Sequence, residues 1–158
     1  MESEPEDALC EIAWCVEGEA PLSDAQVERA VRAALSHGGR PNVGLSVVFV
    51  DDPTLAQMHA EHLGDASETD VISFDLGEDE GVVGELFVSV DRARKVSKRR
   101  GVPFERELTL YVVHGALHLA GFDDLQAQAR LEMRAAEASV LQALGFGEDT
   151  LDHHSGVE

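Results

Sequence analysis

The chain has 158 residues, of which 44% are apolar, and this length fits one domain with a sizeable core. No apolar run approaches the roughly 18 residues that a membrane-crossing helix needs, and the acidic N-terminal residues lack the pattern of a signal peptide. We therefore expect a cytoplasmic protein with one domain over residues 1–158 and a loose tail from about residue 146. The net charge of −19 argues against a nucleic-acid partner unless the basic residues are clustered.

The pattern of apolar residues predicts alternating strands and helices. A first strand lies near residues 8–16, and Ser23 then caps a helix that ends at Gly38. The remaining predictions are a strand over 43–50, a helix over 52–62, strands over 70–74 and 82–88 separated by an acidic turn at 77–81, and helices over 89–100, 104–120 and 125–144. Together they indicate an α+β fold, with a small mixed sheet of about four strands and five helices packed over it.

The two cysteines fall near the first strand. Cys10 and Cys15 are five positions apart, so in a strand their side chains point to opposite faces and cannot easily pair. We predict that both are reduced, buried, structural thiols.

The segment from residue 114 to residue 124 carries the clearest chemical pattern. His114 and His118, four residues apart in a predicted central helix, lie on one face and can reach a single ion. Gly121 favours the end of that helix, after which the chain could turn back to deliver Asp124. Two imidazoles and a carboxylate suit one zinc ion per chain, or another transition metal, and leave a position for an activated water. Asp123 is the alternative third ligand, or an orienting partner of a ligand.

A single histidine in a helix is more often an ordinary hydrogen-bonded residue than a metal ligand. Here the pair is flanked by apolar residues, so a structural interpretation would bury two polar rings without an evident partner. A shared metal ion supplies that partner.

This segment, His-Gly-Ala-Leu-His-Leu-Ala-Gly-Phe-Asp-Asp, resembles the signature of the YbeY family of bacterial endoribonucleases that act in ribosomal RNA maturation. The family pattern reads His-Gly-x-Leu-His-Leu-x-Gly-Tyr-Asp-His. Residues 69–74 and 84–89 are similar to two strand motifs of the family, and the resemblance runs from about residue 45 to residue 144. It implies a metal-dependent endoribonuclease specific for single-stranded RNA, with Ser73 lining the substrate groove.

The chain departs from the family pattern at several positions. Asp124 stands where the family has a third histidine, which keeps a zinc-compatible ligand but makes the site more anionic. Leu63 occupies the position of an arginine that helps catalysis in the family, so transition-state charge would rest more heavily on the metal. Asp75 and Glu85 replace a proline and an aspartate, which are smaller changes.

A metallopeptidase is the competing metal-dependent function. The spacing of His114, His118, Gly121 and Asp124 also fits metzincin proteases. Their motif has a glutamate as general base directly after the first histidine, and this chain has Gly115 there. A methionine turn is also missing, since Met133 falls inside a helical pattern.

Basic residues are concentrated in the predicted helix before the histidine segment. Seven of the twelve lie within fifteen positions: Arg92, Arg94, Lys95, Lys98, Arg99, Arg100 and Arg106. Arg92, Lys95 and Arg99 share one face, which we call the basic stripe, opposite the apolar residues 90, 93 and 96. The stripe predicts contacts with an RNA backbone, and the alternative is a solvated helix face.

The metal-ligand pattern together with the family resemblance predicts a metal-dependent endoribonuclease of ribosome biogenesis; the resemblance implies single-stranded or ribosomal RNA as substrate, and no membrane partner is expected. The sequence identifies no catalytic acid or base beyond the metal-bound water. An alternative is a non-catalytic, metal-stabilised assembly factor that docks on ribosomal proteins, which Leu63 and the acidic composition both favour.

Overall fold

The computed structural model describes residues 10–63, 70–79, 82–123 and 125–146. Within them the chain forms β1 (Cys10–Trp14), α1 (Asp24–His37), β2 (Gly44–Val50), α2 (Asp52–Leu63), β3 (Val71–Asp79), β4 (Val82–Ser89), α3 (Val90–Arg100), α4 (Phe104–Leu119) and α5 (Ala127–Ala143). The predicted α+β architecture with about four strands and five helices is confirmed. The predicted loose tail lies almost wholly outside the described residues, and the single-domain assignment stays a prediction.

One mixed sheet of order β1-β2-β4-β3 organises these elements. β1, β2 and β4 run parallel, whereas β3 pairs with β4 in the antiparallel sense. Parallel neighbours need crossover connections, and α1 provides the one between β1 and β2. β3 is therefore an edge strand of the sheet, and it packs against α4.

α4 is the central helix of the main core. It packs against β3, β4 and three other helices, α1, α3 and α5. The residues predicted to surround it with apolar contacts are all buried: Leu108, Tyr111, Val112, Ala116 and Leu119. A smaller core of Val50, Leu55 and Ile72 lies on the opposite face of the sheet, under α2. The helix that carries both histidines is therefore held on several sides.

The start of α1 agrees with the sequence, while the end of β3 does not. Ser23 caps α1 in a capping box with Gln26. The predicted turn at residues 77–81 begins too early, because β3 continues to Asp79, which pairs with Val82. Gly77 has a φ of 81°, and the register shifts between Asp75 and Asp79. A glycine in this conformation lets the strand bulge and continue, rather than turn.

The prediction for the cysteines is correct for pairing and wrong for burial. Both are free thiols, and Cys10 is half-buried, with a pKa that burial raises to about 11. Cys15 is exposed because it lies just beyond the last residue of β1. In the described ranges, none of the helices has both the length and the apolar character needed to cross a membrane.

Candidate active site

The two histidines predicted as metal ligands are neighbours on α4. The ring centroids of His114 and His118 are 5.0 Å apart and the rings are inclined by 78°. Both side chains are half-buried, although most of the surrounding helix is fully buried. The i, i+4 spacing therefore places two imidazoles side by side at an accessible part of a rigid helix.

A buried carboxylate on α5 contacts the first of these histidines. His114 Nδ1 lies 2.5 Å from Oε2 of Glu137, whose residue is only 4% exposed. Nη1 of Arg134 lies 3.3 Å from each carboxylate oxygen of Glu137. A carboxylate accepts hydrogen bonds, so Nδ1 of His114 is the donor and a cation would bind this ring through Nε2.

The helix ends after the second histidine as the sequence predicts. Ala120 is the C-cap, Gly121 follows with a φ of 114°, and the amide of Phe122 donates to the carbonyl of Leu117 at 3.0 Å. This is a Schellman turn, in which glycine takes the left-handed conformation. The turn reverses the chain directly after His118.

The third ligand stays a prediction. Asp124 lies outside the described residues. Asp123, the alternative, is exposed and its carboxylate accepts a hydrogen bond from the amide of Leu125 at 3.2 Å. Among the residues that the structure describes, no three His, Cys, Asp or Glu side chains are grouped as they would be around a metal ion.

Ser73 lies against the turn of α4 that joins the two histidines. Its hydroxyl donates to the carbonyl of Gly115 over 3.5 Å. A Cβ on Gly115 would lie 2.8 Å from a methyl carbon of Leu86, so this side of α4 presses directly on the sheet. A glutamate at position 115, which the peptidase function requires as general base, would have no room there.

The end of α1 holds the C-terminal turn of α4, a contact that the sequence did not suggest. Arg40 Nη1 donates to the carbonyl of Leu119 at 3.1 Å, which satisfies one of the last carbonyls of α4. A Cβ on Gly38 would lie 2.4 Å from Cβ of Ala120. The turn after His118 therefore depends on close packing against α1.

A family model described as "Endoribonuclease YbeY" matches residues 16–145 of this chain. The chain belongs to the YbeY family. A relative named Endoribonuclease YbeY from Chlorobium phaeovibrioides is 32% identical over 136 residues, which cover 86% of this chain and 92% of that protein. A second, from Desulforamulus reducens, is 33% identical and covers 76% and 85%.

The YbeY-like fold also has a solved counterpart. The solution structure of TM1509 from Thermotoga maritima is similar with a TM-score of 0.62 at 24% identity, and the match covers 86% of this chain and 89% of that one. This likeness supports the fold.

The basic stripe lies on α3, the helix that the charge pattern predicted to carry it, but its three residues differ in environment. Lys95 forms an ion pair with Asp52 at 3.2 Å, Arg92 is half-buried, and Arg99 is exposed. The opposite residues 90, 93 and 96 are buried. Beside the stripe, a groove of about 550 Å³ lies between α2 and α3. Leu63, at the position of the family arginine, ends α2, and its side chain lies outside the described residues.

A second buried carboxylate lies on α4, seven residues before His114. Glu107 is 2% exposed, and its nearest cation in a described ion pair is Arg100 at 3.9 Å. Burial raises the pKa of Glu107 and, more strongly, the pKa of Tyr111, whose phenol contacts Glu107. The pair is a buried polar contact upstream of the histidines, and Glu107 provides a buried glutamate for comparison with Glu137.

Proposed function

We propose that this protein is a metal-dependent endoribonuclease that cuts single-stranded RNA during ribosomal RNA maturation in the cytoplasm. The observation that carries the proposal is the pair of adjacent imidazoles, 5.0 Å apart, on the buried helix of a YbeY-family chain. Family membership supports the endoribonuclease activity, and the ring pair supports the dependence on metal.

The residues present fit a zinc ion. Nδ1 of His114 is already hydrogen-bonded to the carboxylate of Glu137, which is the usual arrangement of a metal-binding histidine. His118 supplies the second imidazole, and we assign Asp124 as the third ligand. When bound, such an ion supplies a Lewis acid and lowers the pKa of water enough for hydrolysis near neutral pH.

Residues near the histidine pair and on α3 would bind and orient the substrate. Helix α4 is packed on several sides, so the backbone that carries both imidazoles is already in place before a ligand binds. Ser73, beside Gly115, is placed to line the RNA groove, and we propose that Arg92, Lys95 and Arg99 contact the phosphate backbone.

A non-catalytic assembly factor is the second candidate. It is favoured by Leu63, which removes a cation from the family's catalytic set, and by the net charge of −19, which suits basic ribosomal proteins. The two functions differ in one measurable property: only the endoribonuclease should cleave RNA when loaded with metal.

The test combines metal analysis with cleavage. Wild-type protein purified without added metal should carry about one transition-metal ion per chain and should cut single-stranded RNA in preference to duplex. His118→Ala should lose both properties while keeping the circular dichroism spectrum. His59→Ala, which removes a histidine from α2, is the matched control and should retain both.

Each contrary result has a distinct meaning. A wild-type protein that neither carries a transition metal nor takes one up would refute the metal-dependent proposal. A protein that binds metal through His118 but cleaves no RNA would instead support the assembly factor.

A further inference from the structure

We propose that Glu137 is a positioning residue of the metal site, whose carboxylate holds the Nδ1 proton of His114 and so presents Nε2 of that ring to the ion. The inference rests on the proposed metal-dependent function and adds to it a residue of α5. Glu137 would increase the affinity for the metal through His114, without touching the substrate.

The placement of Glu137 on the inner face of α5 argues for a specific role. The other buried residues of that helix are Met133, Ala136, Val140 and Leu141, all apolar. A carboxylate among them loses its hydration, which is strongly unfavourable unless the group is paired and hydrogen-bonded. Glu137 meets this requirement through His114 and Arg134.

Arg134 and His114 contact the same carboxylate in different ways. Arg134, a permanent cation, pairs with Glu137 through one nitrogen that lies 3.3 Å from both oxygens. His114 contributes its Nδ1–H group as a hydrogen-bond donor to Oε2. With Nδ1 engaged in this way, Nε2 is the nitrogen of the ring that can coordinate a metal ion.

The same hydrogen bond fixes the direction of the ring. His114 is half-buried on α4, and the 2.5 Å contact with Oε2 restricts its rotation about the Cβ–Cγ bond. A carboxylate behind a ligating histidine also increases the basicity of the other nitrogen, and loss of such a partner typically lowers metal affinity about 10- to 100-fold. Arg134 forms an ion pair with the carboxylate of Glu137 and so orients it.

The experiment compares three substitutions in the full-length protein. Glu137→Ala removes the acceptor, Glu137→Gln keeps a neutral acceptor of the same size, and Glu107→Gln alters a buried glutamate of α4 that lies away from His114. Nitrogen-15 shifts of the metal-free protein identify the protonated nitrogen of His114, and competition with a chelator gives the Kd for Zn²⁺. Thermal unfolding verifies that each variant is folded.

We expect the proton of His114 on Nδ1 in the wild type and in Glu107→Gln, with equal Zn²⁺ affinity. Glu137→Ala should shift the ring toward the Nε2–H form and weaken Zn²⁺ binding about 10- to 100-fold. Glu137→Gln should give a Zn²⁺ affinity between those of the wild type and Glu137→Ala. A purely structural role would change the melting temperature and leave the tautomer and the affinity of the folded protein unaltered.

The outcomes separate this inference from the proposed function. If the wild type binds Zn²⁺ and both Glu137 variants bind it equally well, the positioning role is refuted and the metal-dependent function stands. A proton on Nε2 in the metal-free wild type would also refute the role. If the wild type binds no Zn²⁺, the proposed function fails, and the positioning role fails with it.

Discussion

Replacing Gly38 with alanine should destabilise the protein by pressing a methyl group into the C-terminal turn of α4. The added Cβ would lie 2.4 Å from Cβ of Ala120, whereas carbon atoms in contact prefer about 3.5–4.0 Å. Both atoms are attached directly to backbone, so neither can rotate away. The turn that ends α1 would have to move by more than about 1 Å from the turn that follows His118.

The magnitude follows from two opposing effects. Overpacking of this kind costs about 1–3 kcal/mol, and we take about 3 because the clash joins two Cβ atoms. Gly38 has φ −83° and ψ 6°, which alanine adopts without strain. Alanine also lowers the conformational entropy of the unfolded chain, which stabilises the folded state by about 0.4–1 kcal/mol. The net loss is about 2 kcal/mol, which lowers the melting temperature by about 4–8 °C in a chain of this length.

A double-mutant cycle tests the cause. Ala120→Gly alone removes a half-buried methyl and should cost about 1 kcal/mol. In the double variant the clash is absent, so Gly38→Ala should no longer be destabilising there, and the two sites should be coupled by about 3 kcal/mol, the full cost of the clash. Free energies of unfolding come from urea titrations. Additive effects within about 0.5 kcal/mol, or a neutral Gly38→Ala, would show that the two turns are not packed as described.

Two further predictions concern charge. Replacing Arg92, Lys95 and Arg99 with glutamate should weaken binding of single-stranded RNA and flatten the salt dependence of its affinity. Arg29→Glu on α1 is the control and should have little effect. If the stripe variant has the same salt slope as the wild type, the stripe does not bind RNA. Because burial raises the pKa of Glu107 above its ordinary 4.5, the folded state favours the protonated carboxyl, and the stability that this provides is lost as pH rises through the folded-state pKa. Glu107→Gln should remove this decline in urea titrations between about pH 4 and 8, and parallel pH profiles of the two proteins would contradict the assignment.

The sequence determined those features that depend on neighbours within a turn or two of chain. The i, i+4 spacing of His114 and His118 is sufficient to place both rings on one helix face. Ser23 before a helical pattern and Gly121 after one fix helix ends through local hydrogen bonds and a left-handed backbone. Alternation of apolar residues likewise predicts the number and order of elements.

Only the tertiary structure decided what surrounds the histidine pair. Glu137 is 23 positions from His114, and Arg40 is 79 positions from Leu119, so no spacing rule connects these partners. The bulge that extends β3 and the exposure of Cys15 also depend on how neighbouring elements pack. The physical reason is that a helix face shows which residues can meet a partner, whereas the identity of the partner depends on the packing of distant elements around a common core.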